Sequence, residues 1–228
     1  VSAFHYRFEN RRDAGRQLAQ ELQRYAVLNP VILALPRGGV PVAFEVAKAL
    51  DAPLDLLFVR KIGAPGHEEF GIGAVVDGET PQIVLNQGVI RQLRVDSGYI
   101  SAEMQRQLAE IERRRRTYCG DTPPLSIKHR NVILIDDGIA TGGTMKAALQ
   151  AARKNEPYWL GLAVPVAPPP VIADLGYECD EVICLESREP FGAVGAFYRD
   201  FTQTSDDEVV SLLEQSRGFG LSRQASQP

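Results

Sequence analysis

Asn131-Val-Ile-Leu-Ile-Asp-Asp-Gly-Ile-Ala-Thr-Gly-Gly-Thr144 is the stretch that decides the fold of this chain. Val132–Ile135 is an uninterrupted apolar run of strand length. Such runs belong to sheets covered on both faces, which are typically parallel. The run ends on two carboxylates and a small, Gly-rich turn, and a helix is predicted from Thr144 to Arg153. Gly142 and Gly143 let backbone N–H groups approach an anion closely. The helix start adds its positive dipole end, and the Thr141 and Thr144 hydroxyls add donors. Ala140–Thr144 therefore reads as a cradle for a phosphomonoester. Asp136 and Asp137 are adjacent like charges that need partners. Sugar hydroxyls and a divalent cation would serve.

Two further stretches repeat the pattern of strand, loop and helix or hairpin. Val31–Leu35 runs into Pro36-Arg37-Gly38-Gly39, and Leu54–Val59 runs into Arg60-Lys61-Ile62-Gly63. Arg37 is suited to bidentate phosphate contact, and Gly38 and Gly39 would turn backbone amides toward an anion. Arg60 and Lys61 would complete a charge clamp, with Lys61 the favoured contact. Helical spacing marks Phe8–Ala26, Val40–Leu50 and Ser97–Tyr118, with a short helix at Val171–Leu175 between strands at Tyr158–Val166 and Glu181–Leu185. Phe70–Val76 and Gln82–Leu85 read as a hairpin-like excursion. The predicted class is α/β, with a mainly parallel central sheet and helices on both faces. The three loops would then lie at the carboxyl ends of strands, where such sheets bind ligands. One domain is expected over residues 1–217, with a loosely ordered tail from 218 to 228.

Val132–Met145 resembles the phosphoribosyl diphosphate motif of the type I phosphoribosyltransferases, in the adenine-type version with an acidic pair before Ala-Thr-Gly-Gly-Thr. The resemblance implies that fold, with a flexible loop over the site and a small hood. It implies transfer of a phosphoribosyl group from 5-phosphoribosyl 1-diphosphate to a nucleobase-like nitrogen acceptor, with release of pyrophosphate. Asp136 and Asp137 would hold the ribose hydroxyls and, through water, Mg²⁺. Ala140, Thr141, Gly142, Gly143 and Thr144 would hold the 5-phosphate. Arg37, Gly38, Gly39 and Lys61, with Arg60 beside it, would hold pyrophosphate. A cis peptide is expected at Arg37–Gly38. Gly63–Gly73 resembles the mobile loop, with Glu69 chosen for proton transfer over His67 and Glu68. Glu186–Phe201 resembles the base-contacting hood, with Phe191, Phe197 or Tyr198 to stack and Ser187 and Arg188 to supply polar contacts. The family also implies a homodimer. Ala140 stands where hypoxanthine- and guanine-type members carry an aspartate, so that base mechanism does not transfer. The alternative is a non-catalytic sensor of the same ligand. A third reading, phosphosugar hydrolysis, leaves Arg37–Gly39 unexplained.

The rest of the sequence narrows the partners. A formal net charge of -4 argues against a bulk nucleic-acid binder. No apolar run reaches membrane-spanning length, and Val1–Asn10 has no apolar core of signal-peptide length, so a cytoplasmic protein is expected. Cys119, Cys179 and Cys184 have no metal-ligand spacing and read as reduced thiols. Arg113–Arg116 reads as a solvated helix end complementing the dipole, and His5 and His129 are given no role.

Overall fold

The computed structural model describes residues 6–220, without the side chains of Glu68 and Glu69. His5 and residues 221–228 of the expected tail lie outside the described residues. In chain order the elements are α1 (Arg11–Leu22), β1 (Val31–Ala34), α2 (Gly39–Leu50), β2 (Leu54–Leu56), β3 (Val59–Ala64), β4 (His67–Val76) and β5 (Gln82–Leu85). There follow α3 (Gln87–Leu93), α4 (Ser97–Cys119), β6 (Asn131–Ile135), α5 (Gly143–Lys154), β7 (Trp159–Val166), α6 (Pro169–Leu175), β8 (Glu181–Glu186) and α7 (Asp206–Ser216).

Five strands form one parallel sheet in the order β2-β1-β6-β7-β8. Side chains alternate between its faces, as the two-residue period of a strand requires. Ile32, Ala34, Ile133 and Ile135 join a core with α1, α2 and α7. Val31, Leu33, Val132 and Leu134 join a second core with α5 and α6. Helices thus cover both faces, and the central strands are apolar apart from Asn131 at the start of β6, as the sequence predicts. Among the described residues no helix is long and apolar enough to cross a membrane.

The second sheet, β3-β4-β5, is antiparallel and corrects two readings. Leu54–Val59 is not one strand. Leu57 N–H still donates to Ala34 C=O, but Phe58 N–H turns to the Asp77 carboxylate at 2.6 Å, and the chain leaves the parallel sheet there. The expected loop at 63–73 is mostly strand, with register shifts in its pairing: β3 runs to Ala64, β4 begins at His67, and Pro65–Gly66 makes the turn.

Helix α4 ties this hairpin down. Tyr99 Oη–H donates to Gly63 C=O at 3.0 Å, and Arg60 Nε–H donates to Gln107 Oε1 at 2.9 Å. Arg115 sits deepest. Its Nη2 donates to both oxygens of Asp55 at 2.7 and 2.8 Å, and its Nη1 donates to Asp77 at 2.9 Å. The solvated reading of Arg113–Arg116 therefore fails at Arg115, while its neighbours pair with Glu110 and Glu112 as a surface helix end does.

Two boundaries also differ. Helix α1 starts at Arg11 because the Asn10 side chain caps it, and Phe8 instead packs into a small core with Phe197 and Tyr198. Residues 218–220, assigned to the loose tail, are seated: Phe219 lies 5.7 Å from Phe44, and Gly220 N–H donates to Asp51.

Candidate functional site

The carboxyl ends of β1 and β6 are neighbours, so the loops that leave them meet. Gly38 and Gly39 lie directly on the acidic pair. A Cβ on Gly38 would come within 2.1 Å of Asp137 Oδ2, and one on Gly39 within 3.0 Å of the Asp136 Cα. Only glycine allows this approach. The cis peptide in this loop is Pro36–Arg37, one bond before the expected Arg37–Gly38.

Past the acids, Ile139 N–H anchors the turn to Val166 C=O on β7. Gly142 then takes φ +78° at the start of α5, where a Cβ would also meet Val171 at 2.8 Å. No side chain caps α5, so its first N–H groups keep their bonding capacity. Ala140, Thr141, Gly143 and Thr144 are exposed around this helix start. The arrangement suits an anion at the helix N-terminus with carboxylates beside it.

A family model described as the phosphoribosyl transferase domain matches residues 6–201. The chain belongs to that family. It is 47% identical over 209 residues to a Mycobacterium tuberculosis protein provisionally named a phosphoribosyl transferase, with 92% of this chain covered. The chain spans about half the length of that relative, 47% of it. The crystal structure of the Thermus thermophilus protein TT1426 is also similar. It has a TM-score of 0.81 and 41% identity, with 92% of this chain and 98% of that one covered.

Within this phosphoribosyl transferase domain the acidic pair is half-buried and crowded. Asp137 N–H donates to Asp136 Oδ1 at 2.8 Å. Burial pushes the Asp136 carboxyl above the ordinary range, and the Asp137 charge pushes it the same way. Burial also raises Asp137, against the opposing pull of Arg11. Arg11 Nε–H donates to Asp137 Oδ2 at 2.7 Å, and the Tyr198 hydroxyl donates to the Asp137 backbone carbonyl.

Arg11 and Tyr198 were not read from the sequence as partners of the acids. One signal was available for Arg11. A cation in the first turn of a helix opposes the dipole and needs an acidic partner nearby.

The basic residues divide. Arg37 points to α7, where its Nη1 lies 3.1 Å from Asp206 Oδ1, and the Tyr118 hydroxyl donates to the same oxygen at 2.7 Å. Arg60 and Lys61 are successive strand residues and face opposite ways. Arg60 is held by Gln107 of α4. Lys61 is exposed and borders a cleft of about 500 Å³ whose far wall includes Gly143 and Thr144.

The hood differs from the base-stacking expectation. Phe197 and Tyr198 are 0% and 2% exposed and fill the core around Phe8, so neither ring has a free face. Phe191 is half-buried, 5.0 Å from Phe197. Arg188 is exposed and lies over the Phe197 ring, while Ser187 is exposed. Burial lifts the Cys119 and Cys179 thiols to about 11, which leaves them poor nucleophiles near neutral pH.

Proposed function

We propose that this domain transfers a phosphoribosyl group from 5-phosphoribosyl 1-diphosphate to a nucleobase-like nitrogen acceptor. The C1–O bond to the diphosphate breaks and its electron pair leaves with pyrophosphate. The acceptor lone pair forms the new C1–N bond, and the acceptor proton passes to a base or to solvent. The observation that carries this reading is the seating of Gly38 and Gly39 on Asp136 and Asp137, with the uncapped start of α5 just beyond. A diphosphate, two ribose hydroxyls and a 5-phosphate present the matching chemistries in that order.

Asp136 and Asp137 accept from the ribose hydroxyls, and the 140–144 turn binds the 5-phosphate. Gly38 offers its amide to pyrophosphate, joined by Arg37 once it leaves Asp206, while Gly39, whose N–H donates to Leu35 C=O at 3.1 Å, gives the loop its close approach to the acids. The acid pair is also the fitting place for Mg²⁺. Among the described residues no three His, Cys, Asp or Glu side chains gather, so a hard cation there takes most ligands from water and phosphate oxygens, as Mg²⁺ does. Bound there, it supplies charge neutralisation for the departing diphosphate. Rate enhancement comes chiefly from positioning and preorganised electrostatics.

The test is calorimetric titration of phosphoribosyl diphosphate, with and without Mg²⁺, into wild type and an Asp136→Asn/Asp137→Asn variant. Micromolar binding that disappears in the folded variant supports the assignment. No binding by wild type in either condition overturns it. Binding without pyrophosphate release across a panel of nucleobases would turn the reading from transfer to sensing.

A further inference from the structure

We infer that Arg11 is a positioning residue that holds the Asp137 carboxylate in the orientation in which it receives the ribose. The inference rests on the ribose reading of the acid pair. Three contacts fix the guanidinium. Nε–H donates to Asp137 Oδ2 at 2.7 Å, Nη1 donates to Thr202 C=O at 2.8 Å, and the group lies 3.8 Å from the centre of the Phe201 ring. The Arg11 and Asp137 side chains are only 11% and 14% exposed, so solvent screens this pair weakly.

Asp137 Oδ2 lies between Arg11 Nε and Gly38, so the arginine holds it against the 36–39 loop. The same carboxyl also hydrogen-bonds the Asp136 side chain, so holding it orients the acid pair as a unit. Arg11 touches no part of the expected ligand in this arrangement and acts through Asp137. Because Phe201 and Thr202 follow the hood, the chain beyond β8 seats this arginine. Sequence neighbours could not show that link, since 126 residues separate Arg11 from Asp137.

The test is a double-mutant cycle on phosphoribosyl diphosphate affinity in Mg²⁺, using Arg11→Gln, Asp137→Asn and both together, with inorganic pyrophosphate as a second ligand. Removing the hydrogen-bond partner of a metal-binding side chain typically costs about 10–100-fold in affinity or activity, and the partner of a ribose-binding carboxylate is taken on the same scale. Arg11→Gln should weaken phosphoribosyl diphosphate by about that factor and pyrophosphate by less than about threefold. The combined variant should bind no more weakly than Asp137→Asn alone, because the two residues act as one unit. Arg11→Lys, which keeps the charge without the fork, should recover part of the loss. It carries the cycle if Arg11→Gln does not fold.

Multiplying losses in the combined variant, or equal weakening of both ligands, would overturn the positioning role. Failure of wild type to bind phosphoribosyl diphosphate would instead remove the ribose reading beneath it.

Discussion

Two acidic pairs in this molecule each meet one arginine, and they are completed to different degrees. Asp55 and Asp77 close on Arg115 beneath the hairpin. The guanidinium takes both oxygens of Asp55 and one of Asp77, and the amides of Leu56, Phe58 and Leu125 take the remaining places. Asp136 and Asp137 meet Arg11 at the carboxyl edge of the sheet, through one oxygen of Asp137. The carboxylates of the first pair are finished by the protein, and among the described residues only the buried Arg115 Nε–H lacks a partner there. The second keeps acceptor capacity, and burial together with the crowding of two like charges lifts its carboxyls above their ordinary range. Like charges held together without enough donors are costly to stability, so such an arrangement marks a site that a ligand completes.

The sharpest way to break this comparison is to remove one member of each group and follow unfolding in urea. Arg115→Met leaves two buried carboxylates facing each other. It should cost about 3–5 kcal/mol, the usual result of breaking a buried ion pair from one side. Asp136→Asn should do the opposite. The folded state raises this carboxyl, so its ionised form works against folding near neutral pH, and the neutral amide should raise stability by about 0.5–2 kcal/mol. Ligand binding should fall at the same time. A stability loss at Asp136→Asn comparable to that at Arg115→Met would mean the two pairs are alike.

The pH dependence of the finished pair separates its two acids. One guanidinium neutralises one carboxylate, and Asp55 takes both Nη2 bonds. Burial therefore lifts Asp77 to about 6, against the pull of Arg115. A raised carboxyl binds its proton more tightly in the folded state. Its stabilising contribution is complete below the ordinary range near 3.8 and is lost as pH rises through about 6. Across that window the loss is roughly 3 kcal/mol. Chemical unfolding of wild type and Asp77→Asn between pH 3.5 and about 7 isolates it, because the other acids cancel in the difference. Parallel pH profiles would show that Asp77 titrates normally and that Arg115 serves both acids equally.

Much of the site was legible because its signals are local. A buried strand, an acidic pair and a glycine turn before a helix all occur within residues 131–144, and that is how they fold. Backbone amides at a helix start need no distant partner, so spacing alone described the cradle. The residues that hold the site from a distance are not local. Arg11 and Tyr198 reach Asp137, and Asp206 reaches Arg37, across 126, 61 and 169 residues. Apart from a cation in the first turn of α1, nothing in their immediate sequence shows the contact. Phe70–Val76 and Gln82–Leu85 pair as the expected hairpin, whereas the stretch before them was misread for a related reason. Glycines at 63, 66, 71 and 73 look like a loop in isolation, whereas pairing with β3 and β5 makes most of that stretch strand. Arg115 was hidden in a run of four arginines, where only packing decides which one is buried.

The smallest effect concerns a pair on the rim of the site. Arg37 and Asp206 are 35% and 55% exposed, and exposed ion pairs contribute little to stability. Asp206→Asn should therefore leave the unfolding midpoint nearly unchanged. Its effect belongs in binding. Asp206 and a diphosphate compete for the same guanidinium, so removing the carboxylate charge should tighten inorganic pyrophosphate. A weak, exposed pair corresponds to a small gain, on the order of twofold. Calorimetry at low ionic strength gives the best chance of seeing it, since salt screens exposed charges. The Tyr118 hydroxyl provides the control. It bonds the same Asp206 oxygen, and Tyr118→Phe leaves the competing charge in place. If Tyr118→Phe tightens pyrophosphate as much as Asp206→Asn does, the gain comes from loosening α7, and the charge competition is wrong. If only Asp206→Asn tightens it, Arg37 exchanges a protein carboxylate for a phosphate. The acid-and-arginine contacts at the site edge would then be exchangeable where those beneath the hairpin are fixed.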